Sequence, residues 1–204
     1  FITNLIFSGR IYTDEGTTPM TTAGKTLRVR IGTTTPSGFF ATTTSTDING
    51  FWQIPDILTT GMAAGLPVSA WIDDDSAFRA FTFTKASSTS GNITNLDLYK
   101  DRVIVKHEGF TGTSTTNADL GVYDADDDID IQFYANGGTY SQRATTTLYI
   151  APGTEFKPGG AVTLHGNKSV LNGDGDLRLA TGLRQDGIST SSILTMETNE
   201  LTLA

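Results

Sequence analysis

Thr42 to Pro55 reads TTTSTDINGFWQIP, and this stretch decides the fold class. A polar, threonine-rich arm runs into Asp47-Ile48-Asn49-Gly50, and an apolar arm, Phe51-Trp52-Gln53-Ile54, leaves it. Asn and Gly both tolerate a positive φ, so Asn-Gly between extended arms predicts a β-hairpin closed by a type I′ turn. Pro55 is expected to stop the second arm, because it has no N–H to give a ladder.

Composition agrees with a β reading. The 204 residues include 35 threonines and 22 glycines, while charged residues make up only 18%. Thr is β-branched and suits strands better than helices. No segment of ten or more residues carries a 3.6-residue period. The net charge of −8 argues against nucleic acid and anionic membrane surfaces, and is compatible with divalent cations. There is no cysteine, which removes thiol catalysis, Cys-ligated zinc and iron–sulfur clusters. A cytosolic enzyme of this length often has one or two, so their absence favours an extracellular or cell-surface protein. No run approaches 18 apolar residues, so no membrane-spanning segment is expected.

The first seven residues, Phe1-Ile2-Thr3-Asn4-Leu5-Ile6-Phe7, form the least ordinary segment. Phe1, Leu5 and Phe7 fall on one face and Ile2 and Ile6 on the other. A strand that is apolar on both faces is normally buried on both. Two readings stand: a first strand packed in its own domain, or a donor strand given to a neighbouring copy through main-chain hydrogen bonds and alternate side-chain pockets.

Further strands follow. Leu27, Val29 and Ile31 alternate with Arg28 and Arg30; Leu66 to Ile72 is a second extended run ending in Asp73-Asp74-Asp75; Phe81 and Phe83 share one side of FRAFTFT. The polar run KASSTSGN, 85–92, is the best linker. From Ser8 to Thr84 the order SGRIY, DEGTTP, the Leu27-Val29-Ile31 strand, TSTDINGFWQIP and LPVSAWID resembles the carboxypeptidase regulatory-like (transthyretin-like) β-sandwich. Gly9, Gly16, Pro19, Asp47, Gly50, Phe51 and Ile54 fill the pattern, and residues 33–41 are a longer insertion before the hairpin. The resemblance implies a sandwich module used as a stalk, spacer or assembly unit. It implies no activity.

Residues 93–204 read as short strands punctuated by Gly and Asn, which suggests a second sandwich or a jelly roll. A short β-solenoid is the alternative, but no repeat of constant length is found. The expectation is an all-β chain of two β-sandwich (immunoglobulin-like or jelly-roll) domains. Its parts are a donor strand at 1–7, a first sandwich at 8–86, a linker at 87–95 and a second β domain at 96–204.

The densest chemistry lies in Asp124, Asp126, Asp127, Asp128 and Asp130. Carboxylates crowded this way repel unless a cation sits among them, and hard oxygens at alternating positions suit calcium. Asp124, Asp126, Asp128 and Asp130 are the candidate ligands; a solvated acidic loop is the other reading. Asp73-Asp74-Asp75 and Asn172-Gly173-Asp174-Gly175-Asp176 are further calcium candidates. A zinc site would need both His107 and His165 plus carboxylates. Trp52 and Trp71 with the tyrosines could stack on sugars, or serve as core. Asn92 and Asn167 open N-x-Ser/Thr sequences. No G-x-S-x-G, G-x-G-x-x-G or Walker pattern occurs, and an enzyme is not expected. The function expected is a structural subunit of an extracellular filament or cell-surface appendage. It would polymerise with copies of itself by donating Phe1, Ile2, Leu5, Ile6 and Phe7. The alternative is an adhesin or carbohydrate-binding module that recognises surface glycans.

Overall fold

The computed structural model describes residues 3–32, 39–43, 46–59, 63–87, 92–106, 108, 114–136, 139–143, 146–152, 154–157, 162–165, 170–173, 176–179, 183–186, 193–194 and 201–203. They are nearly all β. Two compact units form: residues 1–100 with 107–111, and residues 101–106 with 112–204.

The first unit contains β1 (Thr3–Tyr12), β2 (Thr26–Ile31), β3 (Phe39–Thr43), β4 (Phe51–Thr59), β5 (Pro67–Asp73), β6 (Phe81–Lys85) and β7 (Leu98–Tyr99). One sheet runs β4-β1-β7, and a second contains β3-β2-β5-β6 in that order. The alternation along β2 buries Leu27, Val29 and Ile31, and β5 adds Val68, Ala70 and Ile72. Leu5, Phe7 and Ile11 of β1, Trp52 and Ile54 of β4, and Leu98 of β7 join the same core. Each large apolar side chain buried this way contributes about 1.5–3 kcal/mol relative to exposure.

The hairpin expected around Asn49-Gly50 does not form. β3 pairs with β2 and β4 pairs with β1, so the two arms belong to different sheets. The local reason is Asp47. Its carboxylate accepts the N–H groups of Asn49 at 2.7 Å and Phe51 at 2.9 Å, while Gly50 N–H donates to the Asp47 carbonyl at 3.0 Å. Gly50 takes the positive φ of 72°, and Asn49 does not, so the turn is not type I′. A Cβ on Gly50 would lie 2.5 Å from the Ile11 carbonyl oxygen, a second reason for glycine there.

Pro55 does not end its strand either, since β4 continues to Thr59. β4 stands at the end of its sheet, where a missing N–H is tolerated. Register also shifts beside it, from Phe7↔Ile54 to Leu5↔Ile57. The linker expected at 87–95 is in part structural. Asn92 Oδ1 accepts Ile6 N–H at 2.9 Å, Ile93 bridges Phe7, and Ile93, Leu96 and Leu98 are buried in this core.

The second unit contains β8 (Arg102–Val105), the one-turn helix α1 (Asn117–Leu120), β9 (Phe133–Asn136), β10 (Thr139–Gln142), β11 (Thr147–Ile150), β12 (Glu155–Phe156), β13 (Val162–His165), β14 (Val170–Gly173), β15 (Asp176–Leu179), β16 (Leu183–Asp186), β17 (Ile193–Leu194) and β18 (Leu201–Leu203). The second sandwich or jelly roll expected here is not what forms. Sandwiches pair antiparallel neighbours, whereas β10-β13-β16, β11-β14-β17 and β12-β15-β18 all pair in parallel. Read in chain order, β10-β11-β12, β13-β14-β15 and β16-β17-β18 are three successive coils of a β-solenoid.

Coil length explains why the sequence hides the repeat. Leu148, Leu171 and Leu194 share a row at intervals of 23 residues. Tyr140, Val162 and Leu183 share another at 22 and 21, and Phe156, Leu177 and Leu201 a third at 21 and 24. Strands stack in register while the turns absorb the variation.

Residues 101–136 close the first coil. β8 lies parallel to β11, β9 lies antiparallel to β10, and Thr115 bridges Phe156 of β12. Each sheet of the first coil therefore has a neighbour on that side from the same chain, as a solenoid needs at its ends. α1 is set by a capping box: the Thr116 side chain accepts Asp119 N–H, and the Asp119 carboxylate accepts Thr116 N–H.

Candidate functional site

The loop between α1 and β9 carries the acidic group. Asp124 is its hub and is nearly fully buried. Its Oδ1 accepts Asp126 N–H at 2.8 Å, and its Oδ2 accepts Ala135 N–H at 2.7 Å, which ties the loop to β9. Its carbonyl accepts the N–H groups of Asp127 and Asp128, and its own N–H donates to Asp127 Oδ2 at 3.2 Å. Burial pushes the Asp124 carboxyl above its ordinary value. The Ala135 and Asp126 amides pull it back, and the Asp126 and Asp127 charges add to the rise.

The four expected ligands are thus not gathered into one cage. Asp124 is turned to its own loop and β9, and Asp126 is exposed. Asp128 and Asp130 are brought together: each offers a carboxylate oxygen within 4.8 Å of the other's. Asp130 is buried, and Asp128 Oδ1 already accepts Asp130 N–H at 3.0 Å. A pair of hard oxygens at this separation could hold a cation. Arg143 fixes the far side of the loop. It donates to the Ile129 carbonyl at 2.9 Å and to the Tyr134 hydroxyl at 2.8 Å, with its guanidinium 5.1 Å from the Tyr134 ring centre. Its sequence neighbours gave no signal for that role.

The other acidic candidates have protein partners. Asp73 pairs with Arg28 at 2.9 Å. Asp75 pairs with Lys25 and accepts the N–H groups of Ala77 and Phe78. Burial opposes ionisation of Asp75, yet Lys25 and those two amides hold its carboxyl below the usual range. Asn172 and Gly173 lie in β14 and Asp176 in β15, while Asp174 and Gly175 lie outside the described residues.

Of the expected donor segment, Phe1 and Ile2 lie outside the described residues. Leu5 and Phe7 are buried in the core of their own unit, and Ile6 is half-buried. β1 is paired with β4 of the same chain from Thr3 to Arg10. Trp52 and Trp71 are both buried, so neither is part of an exposed sugar platform. Asn92 is exposed, and Asn167 lies outside the described residues.

His107 lies outside the described residues, and His165 stands on β13 in register with Asp186 of β16. Sequence reading missed that juxtaposition. It also missed a buried polar chain in the first coil, where Tyr140 Oη donates to Gln142 Oε1, Gln142 Nε2 to Thr146 Oγ1, and Thr146 Oγ1 to the Arg143 carbonyl at 2.6 Å. No helix among the described residues is long and apolar enough to cross a membrane. Comparison with protein-family models, with curated protein sequences and with solved structures finds no match.

Proposed function

We propose that this chain is a structural subunit of an extracellular filament or cell-surface appendage. One observation carries the reading: three in-register parallel sheets share three successive coils. Such a stack is a rigid, quasi-one-dimensional element in which each coil rests on its neighbours. The first unit, with its resemblance to the transthyretin-like sandwich, fits the role of an assembly or spacer module. Donation of residues 1–7 to a neighbour would place the contacts of Leu5 and Phe7 between copies instead of within one, as in a domain swap. Electron microscopy of the purified chain, with and without residues 1–7, tests both parts. Filaments from the whole chain alone support strand donation. Filaments from both forms remove the donor strand and keep the structural role.

Calcium is the cofactor we propose for the acidic loop. Support comes from the nearness of the Asp128 and Asp130 oxygens and from the burial of Asp124 and Asp130, whose charges a cation would offset. Calcium titration followed by calorimetry, against the Asp128→Asn/Asp130→Asn double variant, tests it.

A further inference from the structure

The parallel register of β13 and β16 sets His165 directly beside Asp186 and Thr163 beside Arg184. Thr163 is in turn beside Ser141 of β10. Tyr140 and Gln142, on either side of Ser141, are fully buried. In-register parallel neighbours share a face, and residues two apart on a strand share it too. Ser141, Thr163, His165, Arg184 and Asp186 therefore occupy the sheet face opposite the one that Tyr140 and Gln142 occupy. β9 adds Tyr134 to that face, opposite Ser141.

We propose that the His165–Asp186 juxtaposition is a pH-sensitive staple between the second and third coils. Neighbouring strands lie about 4.8 Å apart, so opposite charges at paired positions attract. Histidine is the side chain whose ordinary value, about 6.5, puts its charge change near neutrality. A carboxylate at that distance favours the imidazolium. Arg184 opposes it, but sits two residues along the neighbouring strand, while Asp186 is directly across. Thr163, Ser141 and Tyr134 carry no charge near neutrality.

The sign follows from linkage. With the folded value raised above the unfolded one, the stabilisation is complete below about 6.5 and is lost as pH rises through the folded value. The coil stack is then tighter in mild acid than in mild alkali. The device rests on the stacked coils alone and is independent of any filament.

The test is an NMR titration of the His165 imidazole in the full chain, with His107→Gln used to assign the two histidine signals. The expected midpoint lies above about 6.5 and falls by roughly 0.2–0.7 of a pH unit in Asp186→Asn. Asp186→Glu, which retains the carboxylate, is expected to keep the raised midpoint and guards against a variant that fails to stack. In parallel, the thermal midpoint of the coil unit is expected to be higher at pH 5.5 than at pH 8, by a margin that shrinks in His165→Gln. An unchanged His165 midpoint in a folded Asp186→Asn chain overturns the staple. So does a pH margin that His165→Gln leaves intact.

Discussion

Leu148 of β11 and Leu171 of β14 sit in register on adjacent parallel strands, 23 residues apart in the chain. On its other side Leu148 is in register with Val103 of β8. A single side chain thus belongs to the first coil and touches the positions of both the closing strand and the second coil.

Leu148 is fully buried, so Leu148→Ala removes apolar burial and leaves a cavity. We expect a loss of about 2–5 kcal/mol in the unfolding of the coil unit. Urea denaturation checks it, followed by a probe local to residues 101–157. A loss under 1 kcal/mol would place Leu148 outside the stack.

Phe7 is fully buried in the core of the first unit. Phe7→Ala is expected to cost about 3–5 kcal/mol there and to leave the coil unit's own transition unchanged. Differential scanning calorimetry with two resolved transitions reads both. If both transitions fell together, the two units would not unfold independently.

Asp47 and Asp124 give opposite pH signatures. The Phe51 and Asn49 amides hold the exposed Asp47 carboxyl below its usual value. Its contribution is present above about pH 4 and lost as pH falls through the lower folded value. Asp47→Ala should flatten that acid limb. Burial raises Asp124, so its ionised form costs stability, and the chain gains stability as pH falls through the raised value. Asp124→Asn should remove that gain. Thermal melts between pH 3 and 7 separate the two variants.

Added calcium is expected to raise the thermal midpoint of the coil unit, and a chelator to return it. The Asp128→Asn/Asp130→Asn variant should show neither effect. A calcium-independent midpoint in the unmodified chain would reduce 124–130 to an acidic loop held by its own amides.

Strand character was legible wherever burial alternates along one strand. Leu27, Val29 and Ile31 announce β2, and the aromatic positions of FRAFTFT announce β6. Partners were not legible. Asn49-Gly50 reads as a hairpin locally, but the choice between pairing β3 with β4 and sending them to different sheets is made by β1 and β2, which are distant in sequence. The coils were hidden for a related reason. Their strands are two to four residues long, and each finds its partner more than 20 residues away through turns of unequal length. Ile129, Ile131 and Phe133 read as one alternating strand. Instead Asp124 and Asp128 gather the backbone into turns, Ile129 stays exposed, and only Phe133 begins β9. The acidic loop was found by composition; which of its carboxylates meet was set by the fold.

Negative-stain electron microscopy of the purified chain tests the central claim most directly. The structural reading predicts regular filaments of constant width. A monodisperse population of single particles at high protein concentration, with and without calcium, would contradict it.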